Sequence, residues 1–300
     1  MTNEQVLFEQ PKIIKVGKPF YDDSLPDALE KAQKYAGGDG HVMSLPELAD
    51  ARILAGKKDY VWNNWFTLAT EEDKGKTKQG NPVYVVAHGK GILTNPDRIR
   101  QAYEHKQGLT SGAARLTETE FNNLLKGKLP DKTEIPVFSY VDFIKQTELP
   151  LTYAVVLDFG TVKKMQSGVQ DVDSLRDNEL VIARLGGVER SGQYLDKANE
   201  VYGSRLGNWH DCESVDLDIC SGRLVFAGDD GDLLGDLNLG NCGRFVGVPI
   251  HAEGVALDST GNEGIVKPKL EQILNLAIDK GFVAERLQEQ FKKELHKLYE

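Results

Sequence analysis

A chain of 300 residues, 40% hydrophobic and 27% charged, has enough apolar material for a packed core, which excludes long disorder. Its formal net charge of −10 repels phosphate backbones, so non-specific nucleic-acid binding is disfavoured. No apolar run approaches the roughly 20 residues that span a bilayer, and the three cysteines are too sparse for a disulfide framework.

The first residues, Met1-Thr2-Asn3-Glu4-Gln5, lack the basic and then apolar run of a signal peptide, which makes the cytoplasm the expected address. A short strand is expected at Ile13 to Val16. Ser24-Leu25-Pro26-Asp27 and Ser44-Leu45-Pro46-Glu47 each offer a Ser cap, an early Pro and a carboxylate three residues on. They start helices that should end near Ala36 and Ala55, where Gly37 and Gly56 follow. Tyr60 to Thr67 concentrates aromatics and reads as a strand with a tryptophan on each face. Lys74-Gly75-Lys76-Thr77 fails as a phosphate loop, because Glu71-Glu72-Asp73 precedes it, and reads as a solvated loop.

Val83 to Ala87 and Tyr153 to Leu157 lack clean alternation, as strands covered on both faces do. Helices are expected at Pro96 to Lys106, Thr117 to Lys126 and Val188 to Tyr202, and further strands at Ile135 to Ser139, Leu180 to Arg184, Arg223 to Ala227 and Arg244 to Val248. Arg205 to Gly264 is rich in Gly and Asp and reads as a loop-heavy lobe. Pro268 to Lys280 and Phe282 to Tyr299 carry apolar residues at helical spacing. The fold class is α/β or α+β: a central mixed sheet flanked by helices (1–204), an irregular Gly/Asp-rich lobe (205–264) and C-terminal helices (265–300), which a single compact domain would also accommodate.

The strongest chemical candidate is the strand–turn–helix run ending in His88-Gly89-Lys90-Gly91 and Thr94. Amides in such a turn, beside a helix N-terminus, form an anion site: Gly89 and Gly91 permit close approach, Lys90 adds charge, Thr94 adds a hydroxyl and His88 an acid or base. No Gly-x-Ser-x-Gly elbow exists to supply a nucleophile. Asp158-Phe159-Gly160-Thr161 follows a strand, and its four residues resemble the Asp-x-Gly-Thr turn of sugar-kinase and actin-like nucleotide folds. Asp158 therefore joins His88 as a catalytic candidate at a strand end, where ligands of open α/β sheets sit. Asp229, Asp230, Asp232 and Asp236, on a glycine-rich backbone, are the residue types that a hard cation such as Mg²⁺ or Ca²⁺ requires. His210, Cys212 and Cys220 match no recurrent zinc spacing.

Two functions follow. One is an enzyme or binding protein for a small anionic, phosphate-bearing ligand, assisted by a divalent metal. The other is a non-catalytic interaction protein docking through its C-terminal helices or an aromatic surface. Convergence of His88, Asp158 and the Asp229 to Asp236 turns on one cleft would favour the first; separate faces would favour the second.

Overall fold

The computed structural model describes residues 17–212 and 216–249. The strand expected at Ile13 to Val16 and the two C-terminal helices lie outside the described residues.

In chain order the elements are β1 (Lys18–Asp22), α1 (Leu25–Ala36), β2 (His41–Val42), α2 (Leu45–Leu54), β3 (Phe66–Lys76), β4 (Pro82–His88) and α3 (Pro96–Glu104). Then come β5 (Leu109–Thr110), β6 (Ala113–Arg115), α4 (Glu118–Leu124), β7 (Val137–Ser139), α5 (Tyr140–Phe143), β8 (Tyr153–Asp158), α6 (Phe159–Lys164) and β9 (Gly168–Asp171). The last are α7 (Val172–Leu175), α8 (Glu179–Leu185), α9 (Val188–Tyr202), β10 (Arg205–His210), β11 (Ser221–Ala227), β12 (Leu233–Gly235) and β13 (Gly243–Val248). No helix among the described residues is long and apolar enough to cross a membrane.

The fold is mixed α/β. A ten-stranded sheet runs β7-β8-β4-β3-β11-β12-β10-β9, with β6 also paired to β11 and β5 to β6. The β7–β8 and β10–β12 pairs are parallel and the others antiparallel. A second sheet of three strands has the order β1-β13-β2.

Strand β3 departs most from expectation. Of Lys74-Gly75-Lys76-Thr77, read from sequence as a solvated loop, the first three residues belong to this strand and Lys74 is buried, as are Thr70 to Asp73 before it, at the centre of the large sheet. Alternation gives each face its own polar set: Thr70, Glu72 and Lys74 on one side, Glu71 and Asp73 on the other. Hydrogen-bond partners on neighbouring elements, described below, make most of this burial tolerable.

Apolar residues cover both faces of these strands. Leu29 of α1, Ile99 of α3 and Phe121 of α4 share a cluster with Val85, Ala87 and Leu224. Phe143 of α5, Val162 of α6 and Ile182 of α8 share another with Tyr84, Val86 and Val155. Leu48 of α2 and Leu195 of α9 pack with Leu68 and Val225.

Two further expectations are corrected. Leu180 to Arg184 forms helix α8, because the Asn178 side chain caps the Leu180 and Val181 amides and Gly186 closes the helix in the left-handed region. Tyr60 to Asn64 forms turns, and only Phe66 and Thr67 of the aromatic run enter a strand. The Gly/Asp-rich stretch also contributes more strand than its composition indicated: β10, β11 and β12 join the large sheet, while β13 pairs with β1 and β2.

Candidate functional site

The His88–Thr94 turn borders a hollow. Gly89, Lys90, Gly91 and Thr94 line a cavity of about 300 Å³ together with the end of α1 and residues 129–131. Four of the turn's amides, however, are already paired within the protein. Gly89, at φ +74°, donates to the Ala69 carbonyl at 2.6 Å, and Gly91 donates to the Thr94 hydroxyl at 2.9 Å. The Ile92 and Leu93 amides each donate to one carboxylate oxygen of Glu71, both at 2.6 Å. An internal carboxylate thus occupies the cradle that the sequence offered to a ligand anion. Lys90 reaches the Thr133 hydroxyl at 3.2 Å and Asp131 at 3.5 Å.

His88 is fully buried. Its Nε2 lies 3.0 Å from the Ala183 carbonyl, which can only accept, so Nε2 carries the proton. Nδ1 then accepts from the Thr70 hydroxyl at 3.0 Å, and that oxygen in turn accepts the Leu45 amide. Burial pushes the imidazole down to about 4, so it is neutral and fully engaged within the fold.

Asp158 is exposed and caps α6, accepting from the Thr161 amide and hydroxyl. On the paired strands Val83 lies opposite Asp158 and His88 opposite Tyr153, which places the two candidates about 17 Å apart along the sheet. Of the aspartates of 229–236, Asp230 and Asp232 have local duties. Asp232 accepts from the Gly207 amide and the Trp209 indole, and Asp230 accepts from the Asp232 amide. Tyr202 donates to the Asp229 carbonyl, and Asp236 Oδ1 is buried without a partner. Among the described residues no group of three or more His, Cys, Asp or Glu is placed to hold a metal ion.

Sequence reasoning missed three arginines, each at most 2% exposed: Arg52 and Arg223 organise loops, and Arg184 ties together strands β3, β10 and β12. Arg52 donates to the carbonyls of Val61, Asn64 and Gly228 and to the Tyr194 hydroxyl, with its guanidinium 5.0 Å over the Trp62 ring. Arg184 grips Glu72 through two bonds of 2.6 and 2.8 Å and also holds Asn208 Oδ1 and the Trp209 and Leu233 carbonyls. Arg223 holds the Ser111 and Leu237 carbonyls and the Asp211 carboxylate. Burial pushes the Glu72 carboxyl up, but the Arg184 charge and its hydrogen bonds outweigh this and hold it below the usual range. Because Arg52 and Arg223 reach loop carbonyls at Val61, Asn64, Gly228, Ser111 and Leu237, they set loop shape at those points without specifying the side chains there.

Beside the segment that Arg52 holds lies a surface cluster. Trp65 is partly buried against Phe226, and its ring carries the Arg244 guanidinium at 4.7 Å. Tyr21, 51% exposed, meets Trp65 edge-on at 6.1 Å and Arg244 at 5.9 Å. Arg244 is oriented by a 2.6 Å bond to Asn64 Oδ1, and the Asn64 carbonyl is itself held by Arg52. A patch of Tyr, Trp and Arg has the composition enriched where proteins bind one another. The sequence signal was the aromatic run at Tyr60 to Phe66; nothing in it named Arg244 or Tyr21 as neighbours.

No family model and no curated protein matches the chain. A solved structure does, described in the words "Accommodation of massive sequence variation in Nanoarchaeota by the C-type lectin fold". The two are 36% identical, the match covers 78% of this chain and 98% of that one, and the TM-score is 0.63.

Proposed function

The chain belongs to the C-type lectin fold family, and from that premise we propose that it is a binding protein that engages a macromolecular partner through Tyr21, Trp65 and Arg244. The observation that carries this reading is the stacked, partly exposed arrangement of those side chains beside backbone fixed by Arg52. Aromatic rings and a guanidinium held in place lose little conformational entropy on binding, which is what an anchor requires. The similar structure is described as accommodating massive sequence variation. Loops held by their carbonyls supply a physical means for the same property here, since surface side chains can change while the clamps remain.

The test is to present the purified chain to arrays of proteins, peptides and glycans, then repeat with Trp65→Ala and Arg244→Ala. Binding that drops at least tenfold in both variants, with folding retained, supports the proposal; undiminished binding in both rejects it. A second reading, a small anionic ligand near Lys90, is supported by the hollow at Gly89 to Thr94. It predicts a rise in melting temperature with inorganic phosphate or nucleotide, with or without Mg²⁺ or Ca²⁺, that Lys90→Ala removes.

A further inference from the structure

On the face of β3 opposite Glu72, two carboxyl groups are buried together. Glu71 and Asp73 are both 0% exposed, two residues apart and therefore on one side of the strand. Glycines make the room: a Cβ at Gly91 would lie 2.2 Å from the Glu71 carboxyl carbon, and one at Gly222 would lie 2.1 Å from Asp73 Oδ1. Glu71 is satisfied by the Ile92 and Leu93 amides. Neither oxygen of Asp73 meets a donor, and the polar group within its reach is the Glu71 carboxyl.

Two ionised carboxylates can only accept, so they cannot bond to each other; if one keeps a proton, they can. We propose that Glu71 and Asp73 form a one-proton carboxyl pair that latches the 89–94 turn, so that loss of the proton loosens that wall of the neighbouring hollow. Glu71 is the ionised member, because it holds two amides; Asp73 is the neutral one and donates to it.

The charged groups facing the pair agree with this assignment. Glu72 and Glu120 act on Asp73 and disfavour a further negative charge. The cation nearby is Arg98, which acts on Glu71 and is itself bound to Glu120 and the Arg115 carbonyl. From β11 the facing residue is Gly222, which brings no charge. Burial first, then the Glu71 charge, hold the Asp73 carboxyl well above the ordinary aspartate range.

The sign follows from linkage. A carboxyl whose folded value is raised contributes stability that is fully present below its unfolded value, about 4, and is lost as pH rises through the folded value. Across that window the unfolding equilibrium constant should rise up to tenfold per pH unit. Ionisation then sets two negative charges side by side, and the strain falls on the bonds from Glu71 to Ile92 and Leu93.

The experiment compares the wild type with Asp73→Asn, which keeps the shape and can donate to Glu71 but cannot ionise. Infrared difference spectra at neutral pH should show a buried protonated carboxyl in the wild type that the variant lacks. Hydrogen exchange, corrected for intrinsic rates, should show the Ile92 and Leu93 amides losing protection as pH rises in the wild type and holding it in the variant. Absence of the protonated-carboxyl band from the wild type overturns the proposal, as does pH-independent protection of both amides through that carboxyl's titration. The infrared result on the wild type stands even if the variant does not fold.

Discussion

Replacing Arg184 with Met would remove the clamp that ties β3, β10 and β12 together and leave its charge partner in place. Glu72 would stay fully buried, keeping only the Tyr84 hydroxyl at 2.5 Å and losing both guanidinium bonds. Breaking a buried ion pair by deleting one partner costs about 3–5 kcal/mol, because the remaining charge is uncompensated. The Trp209 and Leu233 carbonyls would also lose a donor, at about 1–3 kcal/mol for each that finds no other. Against a total stability of roughly 5–15 kcal/mol, such a variant should be marginal. Urea titration measures it, with the midpoint falling while the slope is kept. The cost should shrink toward low pH, where the orphaned Glu72 can take a proton, and Glu72→Met/Arg184→Met should recover part of the loss. A single-variant cost below about 1 kcal/mol, unchanged with pH, would refute the assignment of Arg184 as a charged clamp.

Two other perturbations test neighbouring parts of the account. His88 is held at about 4 by burial, below its usual 6.5, so its contribution is fully present above pH 6.5 and is lost as pH falls toward 4. The wild type should lose on the order of 3 kcal/mol over that window relative to His88→Gln, read by urea titration at each pH; identical slopes would contradict it. Gly91→Ala would drive a Cβ into the Glu71 carboxyl and should cost about 1–3 kcal/mol. An unchanged thermal melt would show that the turn is not packed as described.

Local signals in the sequence located much of the fold. The capping boxes of α2 and α4 and the glycine after α9 place those helices within a residue or two of where they lie. The same kind of evidence failed at β3, where a run of Glu, Asp and Lys leading into an expected solvated loop gives no sign of burial because its partners are distant in sequence. Glu72 meets Arg184, Lys74 meets Asp211 and Glu71 meets the amides after Gly91. Arg52, Arg184 and Arg223 are invisible for the same reason, since a buried arginine and a solvated one read alike. Leu180 to Arg184 misleads differently: four apolar residues followed by an arginine show no period, and the deciding signals, Asn178 and Gly186, sit outside the run. At the proposed surface, Trp65 lay within a recognisable aromatic run, while Arg244 and Tyr21 reach it only through the pairing of β1 with β13.

The claim on which the account depends is that carbonyls clamped by Arg52 and Arg223 hold the surface loops even where exposed loop residues change. It is tested most directly by ¹⁵N relaxation on a chain carrying Asp229→Ala, Gly240→Ser and Asn241→Ala together, exposed positions on or beside loops held by Arg52 and Arg223. The account predicts backbone order parameters near about 0.85 for residues 228–232 and 237–238, as in the unsubstituted chain. Values falling below about 0.6 would mean that the side chains had been holding the loops, and would contradict it.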